Sequence, residues 1–179
     1  MQGLNGHTGH AAEMDIEELL KEAGSYRELF RAARKSGVKV EEQIQAAMGT
    51  ESELFRIVGY RVEKIEEGRA ELSFPFSRAI ARRGGMVHGG VVMYTLDNAA
   101  GIAVMTVNGG TDQVTLELKV NFLEPLRKGP FRAVGKVLRA GGNTVVAEGE
   151  VSDAEGLVCA RGLGTWYIIG NRRDRRETQ

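Results

Sequence analysis

The sequence predicts an α+β fold in which an antiparallel β-sheet wraps around one central helix. Residues 88–106 are apolar on nearly every side, and a helix of that kind has to be enclosed by other elements. Segments in which apolar and polar residues alternate lie on both sides of it, as expected for half-buried strands. Since one sheet packed on one helix buries both apolar faces, we predict the order β-β-α-β-β-β-β, preceded by helices.

Helical periodicity dominates the chain before the first predicted strand. Apolar residues recur at helix spacing in three short pieces between residues 15 and 50, and Gly24-Ser25 and Gly37 separate these pieces. We therefore divide the chain into three parts. They are a helical N-terminal extension over residues 1–50, a sheet-and-helix domain over residues 51–170, and a charged tail over residues 171–179.

Six segments have the pattern of strands. The clearest is 114–122, whose alternation places Thr115 on the face opposite Leu116 and Leu118. Glycines inside several strand segments predict that another backbone approaches them closely. The other five segments span residues 54–65, 69–76, 130–140, 143–153 and 157–169.

Composition narrows the function classes. The formal net charge is 0, with 24 basic and 24 acidic residues, so we expect neither nucleic acid nor an anionic membrane as a partner. Cys159 is the only cysteine, which is typical of a cytoplasmic protein without an internal disulfide. No Cys/His cluster has metal-ligand spacing, and the polar, Gly-rich residues 1–10 do not form a signal peptide pattern.

One glycine-rich turn carries the most specific signal. Gly84-Gly85-Met86-Val87-His88-Gly89-Gly90 leads directly into the apolar helix, and Asp97 is embedded in that helix. A carboxylate among Val, Met, Leu and Ala is costly unless it is paired or serves the chemistry of a site. We therefore consider Asp97 the central functional candidate.

These residues resemble the hotdog acyl-CoA thioesterases of the phenylacetic-acid-degradation type, within the 4-hydroxybenzoyl-CoA thioesterase superfamily. Gly85, the sequence His88-Gly89-Gly90 and the sequence Leu96-Asp97-Asn98 match the family pattern. The resemblance covers about residues 52–169. It departs at Arg82, which stands where the family has an Asn that orients the nucleophile or the attacking water.

The resemblance implies a hotdog fold and hydrolysis of an acyl-CoA thioester, with no cofactor because CoA is part of the substrate. It implies that Gly89 N–H stabilises the oxyanion and that Asp97 acts as base or nucleophile. His88 then shapes the turn or contacts the thioester, and Thr115 matches an assisting Ser or Thr. Substrate-binding positions are expected at Gly90, Arg82 and Asn98.

Spacing along the helix predicts that two chains build the site. The nine residues from His88 to Asp97 span about 13–14 Å and roughly two and a half turns, so Asp97 points away from Gly89. One carbonyl group cannot meet both within a subunit. We therefore expect a homodimer or homotetramer with antiparallel helices and the site at the dimer interface.

Several alternatives stay open. Asp97 could be a structural acid paired with Arg82 or Arg83, and His88 could simply cap the helix. The arginines of this loop could bind CoA phosphates or lie in solvent. At the level of the whole protein, the alternatives are a non-catalytic acyl-CoA sensor and a hotdog dehydratase or hydratase.

Overall fold

The computed structural model describes residues 16–170, so the predicted charged tail over residues 171–179 lies outside the described part. Four helices precede the sheet, and none of the helices between residues 16 and 170 is long and apolar enough to cross a membrane. The helices are α1 (Ile16–Ala23), α2 (Tyr26–Ser36), α3 (Val40–Glu51), α4 (Glu53–Val58) and the central α5 (Gly89–Met105).

The strands form one antiparallel sheet of six in the order β1-β2-β6-β7-β8-β5, with α5 packed on its inner face. A short hairpin of β3 and β4 precedes α5. The predicted α+β architecture with a sheet around one helix is confirmed. The strands are β1 (Arg61–Glu66), β2 (Arg69–Phe74), β3 (Ala81–Arg82), β4 (Met86–Val87), β5 (Asp112–Phe122), β6 (Phe131–Ala140), β7 (Thr144–Ser152) and β8 (Val158–Ile169).

A row of three glycines lets α5 lie directly on the sheet. Gly135 pairs with Gly149, and Gly149 pairs with Gly162 on the next strand. A Cβ atom at Gly135 would lie 2.0 Å from the carbonyl oxygen of Ala99, whereas one at Gly162 would lie 3.3 Å from the tip of Leu96. The close backbone approach predicted from the strand glycines is therefore confirmed at the centre of the sheet.

The first predicted strand, residues 54–65, is wrong in its first half. Ser52 caps α4 by accepting a hydrogen bond from Phe55 N–H, and Gly59 ends that helix with a φ of 78°. Phe55 and Val58 lie three residues apart and both face the core, which is helical spacing. Only the second half of the segment, from Arg61, forms β1.

The helices before the sheet are part of the core and cover one sheet edge. Phe30 and Ile44 belong to the same buried cluster as the inner face of the sheet. In α3, the side-chain oxygens of Gln45 and Glu41 accept hydrogen bonds from backbone N–H groups of β1, at 2.7 and 2.9 Å. Within residues 16–170 nothing comparable covers β5, the strand at the other edge.

Candidate active site

The turn before α5 places His88 as the helix N-cap. Gly84 and Gly85 adopt positive φ angles of 98° and 66°, which only glycine accepts without strain. His88 Nδ1 then accepts a hydrogen bond of 3.0 Å from Gly90 N–H. The capping role that the sequence left open for His88 is the one that the structure shows, and it occupies the Gly90 N–H group.

Gly89 N–H is the free donor of this helix end. Among residues 16–170 this N–H group makes no hydrogen bond, whereas the neighbouring N–H groups of Gly90 and Val91 both bond to His88. The first N–H groups of a helix also carry the positive end of its dipole. This backbone group is therefore suited to stabilise an oxygen that acquires negative charge.

Asp97 lies half-buried on α5 without a cationic partner. Its Oδ1 accepts a hydrogen bond of 2.8 Å from Thr115 Oγ1. In the described part of the chain it forms no ion pair, and Arg82 instead donates from Nε to the carbonyl oxygen of Arg83 at 3.2 Å. The structure therefore does not show the structural pairing of Asp97 with Arg82 or Arg83.

Burial raises the pKa of Asp97 above the ordinary aspartate value, and the Thr115 hydrogen bond partly offsets this by stabilising the carboxylate. A carboxylate with a raised pKa is a better proton acceptor than a solvated one. Such a perturbed acid without a salt bridge is typical of a functional position.

The structure corrects the predicted orientation of Thr115. A β-bulge between Thr115 and Glu117 adds one residue to β5, so the alternation of faces shifts there. Thr115 and Leu118 consequently both face α5, opposite Trp166 and Gly164 of β8, while Leu116 is exposed. The bulge thus turns the Thr115 hydroxyl toward Asp97.

The three predicted substrate-binding residues, Arg82, Asn98 and Gly90, do not lie together. Arg82 is exposed on β3, at the rim of a cavity that also includes Gly89. Asn98 is buried, and its Nδ2 donates to the carbonyl oxygen of Tyr94 at 2.8 Å within the same helix. Gly90 is engaged with His88. Arg82 is therefore the one of these three positions whose side chain lines open space beside Gly89.

Gly89 and Asp97 do not meet within one chain. They lie on the same unbroken helix, and eight residues correspond to about 12 Å along its axis. A thioester carbonyl group held at Gly89 N–H is out of reach of Asp97 of that chain.

One residue beside the site had no predicted role. The ring of Phe122 lies 3.5 Å from the position that a Cβ atom of Gly89 would occupy, although 33 residues separate the two along the chain. In the sequence, Phe122 is simply the last residue of the alternating segment 114–122, and nothing there indicates that its ring reaches the helix N-terminus.

Comparison with known proteins places this geometry in a family. The pattern of the Thioesterase superfamily matches residues 84–160, which include the turn, α5 and Asp97. A protein of Saccharolobus solfataricus, named "Putative esterase SSO2140", is 46% identical over 117 residues, covering 65% of this chain and 84% of that protein.

Two further comparisons agree. The medium/long-chain acyl-CoA thioesterase YigI of Escherichia coli is 30% identical over 134 residues, with 64% of this chain and 84% of that protein covered. The structure of the PaaI protein from the phenylacetic acid degradation operon of Escherichia coli shares the fold, with a TM-score of 0.66 at 21% identity over 73% of this chain and 94% of that one. The chain therefore belongs to the thioesterase superfamily and has the hotdog fold.

Proposed function

We propose that this protein hydrolyses an acyl-CoA thioester to the free acid and CoA. The proposal rests on the presence of two groups, a helix N-terminal donor, Gly89 N–H, and a half-buried carboxylate, Asp97. Among residues 16–170 the donor makes no hydrogen bond and the carboxylate has no cationic partner. The similarity to YigI, which is named as an acyl-CoA thioesterase, supports the substrate class. The reaction needs no cofactor, since CoA is part of the substrate and is released as a product.

Gly89 N–H donates to the carbonyl oxygen as the carbonyl carbon becomes tetrahedral. Asp97 takes a proton from water, and the water oxygen forms the new C–O bond. The C–S bond then breaks, and the CoA thiolate receives the proton from Asp97, which regenerates the carboxylate. In the nucleophilic variant, Asp97 attacks the carbonyl carbon itself, and the C–S bond breaks to release CoA as the thiolate. Water then hydrolyses the resulting anhydride, which regenerates the Asp97 carboxylate, and the two protons of that water end on the free acid and on the CoA thiol.

A homodimer with antiparallel α5 helices brings an Asp97 side chain and a Gly89 N–H group together. In that arrangement, Asp97 of one chain lies near Gly89 of the other, while the two groups of a single chain stay apart. The uncovered β5 edge supports this assembly because it exposes large apolar side chains. They are Val114 and Leu116, with 45% and 58% of their surface exposed. Two such dimers could further associate into a tetramer.

Thiol release from a panel of acyl-CoA esters tests the function. The proposal predicts turnover of at least one ester, with CoA and the free acid formed in equal amounts. If every ester binds without turnover, the protein is a non-catalytic acyl-CoA sensor, and the replacement of the family Asn by Arg82 is the first position to examine by Arg82→Asn.

Thr115→Val is expected to shift the pH dependence of the reaction. Valine keeps the shape but removes the hydroxyl that stabilises the Asp97 carboxylate, so the pKa of Asp97 rises further. Because Asp97 works when deprotonated, the acid limb of kcat/KM against pH moves to higher pH, and the rates converge at alkaline pH. Thr115→Ser should keep the wild-type profile. Superimposable profiles for wild type and Thr115→Val would show that the hydrogen bond does not tune the base.

A further inference from the structure

A cavity of about 420 Å³ opens directly beside the free Gly89 N–H group. It lies at the N-terminal end of α5, between the β3–β4 hairpin and the segment that follows β5. Ligand pockets of small molecules fall in this size range. The apolar residues that define it are Met86, Val87, Val92, Phe122, Pro125 and Leu126.

Phe122 is the residue that joins this cavity to the reaction centre. Its ring packs against Gly89, 3.5 Å from the Cβ position, and 55% of the residue is exposed. A large aromatic side chain left open at that place offers a ready apolar contact to a ligand. When a carbonyl group is held at Gly89 N–H, the first atoms of the group attached to it therefore lie next to the Phe122 ring.

The acyl group and the CoA arm extend from the thioester carbonyl group in opposite directions, and the cavity suits the acyl group. The CoA arm carries amides and then phosphates, which need hydrogen-bond partners and cations. The cavity presents only two charged side chains, Arg82 and Glu124, and their charges cancel. An apolar acyl group needs neither hydrogen-bond partners nor cations, and its binding is favoured because apolar surface is removed from water.

We propose that this cavity binds the acyl group of the substrate and that Phe122 determines its preferred length. The inference rests on the proposed thioesterase function and names its substrate class as acyl groups with an extended apolar portion. Phe122 forms the entrance, next to the carbonyl group. The side chains of Leu123 and Leu126 extend the wall beyond it.

The test measures kcat/KM across straight-chain acyl-CoA esters from acetyl to dodecanoyl. In the wild type, each methylene that enters the cavity should raise kcat/KM by about threefold to fourfold, which corresponds to about 0.8 kcal/mol per buried methylene, until the cavity is full. Phe122→Ala should flatten this slope to about twofold per methylene or less, so that its loss relative to the wild type grows with the length of the acyl group.

A second variant makes the cavity smaller, whereas Phe122→Ala makes it larger. Leu123→Trp places bulk into the wall from a position that is 52% exposed, so it should shorten the longest ester that the protein accepts. Leu138→Ala is the matched control, since Leu138 is 49% exposed on β6 and does not line the cavity. Gel filtration of each variant checks that the assembly is unchanged.

Three outcomes would overturn the inference. A flat slope in the wild type would show that the cavity does not select the acyl group. An equal loss for all esters in Phe122→Ala and Leu123→Trp would place the CoA arm there instead. Slopes in both variants equal to that of Leu138→Ala would remove any role for the cavity. Each of these results leaves hydrolysis itself intact, whereas absence of turnover for every ester in the wild type would refute the proposed function.

Discussion

Asp97→Asn is expected to lower kcat/KM for acyl-CoA hydrolysis by about 10²–10⁴-fold, the range that a positioned general base contributes. The amide keeps the size of the side chain and can still contact Thr115, but it can neither accept the proton of water nor attack the thioester. Thiol release under saturating and limiting substrate measures the loss. It should appear in kcat, since the carboxylate acts in the chemical step rather than in binding.

The same substitution should not weaken the fold. Burial raises the pKa of Asp97, so this carboxyl group binds its proton more tightly in the folded protein than in the unfolded chain. The charged carboxylate therefore costs stability once the pH exceeds the ordinary aspartate pKa, and this cost disappears as the pH falls below that value. At neutral pH we expect Asp97→Asn to have a Tm equal to or above that of the wild type, with the difference vanishing in acid.

Asp112→Asn is the matched control for this prediction. Asp112 is an exposed aspartate at the start of β5, so its replacement makes the same change of net charge away from the site. It should leave kcat/KM within about twofold. An Asp97→Asn enzyme as active as Asp112→Asn would exclude Asp97 as base and nucleophile.

Gly135→Ala is expected to cost about 3 kcal/mol or more of folding free energy, a large effect for one methyl group. The added Cβ atom would lie 2.0 Å from Ala99 O and 2.5 Å from Ala100 N, which are backbone atoms of α5. Helix and sheet would have to separate along their main contact. Thermal unfolding should show a Tm lowered by about 6–12 °C, given the roughly 2–4 °C per kcal/mol of a domain of this size.

Gly162→Ala provides the comparison within the same row of glycines. The tightest contacts of its Cβ atom would be side-chain tips, Leu96 Cδ1 at 3.3 Å and Leu118 Cδ1 at 3.4 Å, which shift at little cost, and the backbone oxygen of Lys119 would lie at an ordinary 3.5 Å. We expect a loss of less than about 1 kcal/mol for this variant. Equal Tm values for Gly135→Ala and Gly162→Ala would mean that contact with α5 does not explain the glycine at position 135.

The sequence predicted the features that depend on short-range patterns. The apolar helix, its glycine-rich start and the position of Asp97 on it follow from periodicity over a few residues. The spacing of His88 and Asp97 likewise predicts that Gly89 N–H and Asp97 lie far apart within one chain, because helix geometry is nearly invariant. The close helix–sheet contact could be expected from strand glycines, although which glycine touches α5 required the sheet register.

Other features could not be obtained from local patterns. Residues 54–58 are apolar enough to suit a strand, and the decisive signals were the capping residues Ser52 and Gly59 at the two ends. The orientation of Thr115 depends on a bulge, and one extra residue reverses a prediction based on alternation. The contact of Phe122 with Gly89 joins distant parts of the chain, so only the folded structure reveals it.

The central claim is that each active site combines Asp97 of one chain with Gly89 N–H of another, and Gly89→Pro makes it testable. Proline removes the N–H group at the first position of a helix, where its ring is tolerated. His88 already has a ψ of 137°, which is compatible with a following proline. Gly89→Ala, which retains the donor and meets Phe122 at an ordinary 3.5 Å, controls for the added bulk.

The most direct measurement mixes two inactive homodimers, Asp97→Asn and Gly89→Pro, after dissociation and reassociation in equal amounts. If the site is shared, every mixed dimer holds one intact site, in which Asp97 comes from one chain and Gly89 N–H from the other. Half of the dimers are mixed, so about a quarter of wild-type thiol release should return. If reassociated mixtures that contain mixed dimers stay as inactive as the separate variants, both groups act within one subunit, and the shared site is contradicted.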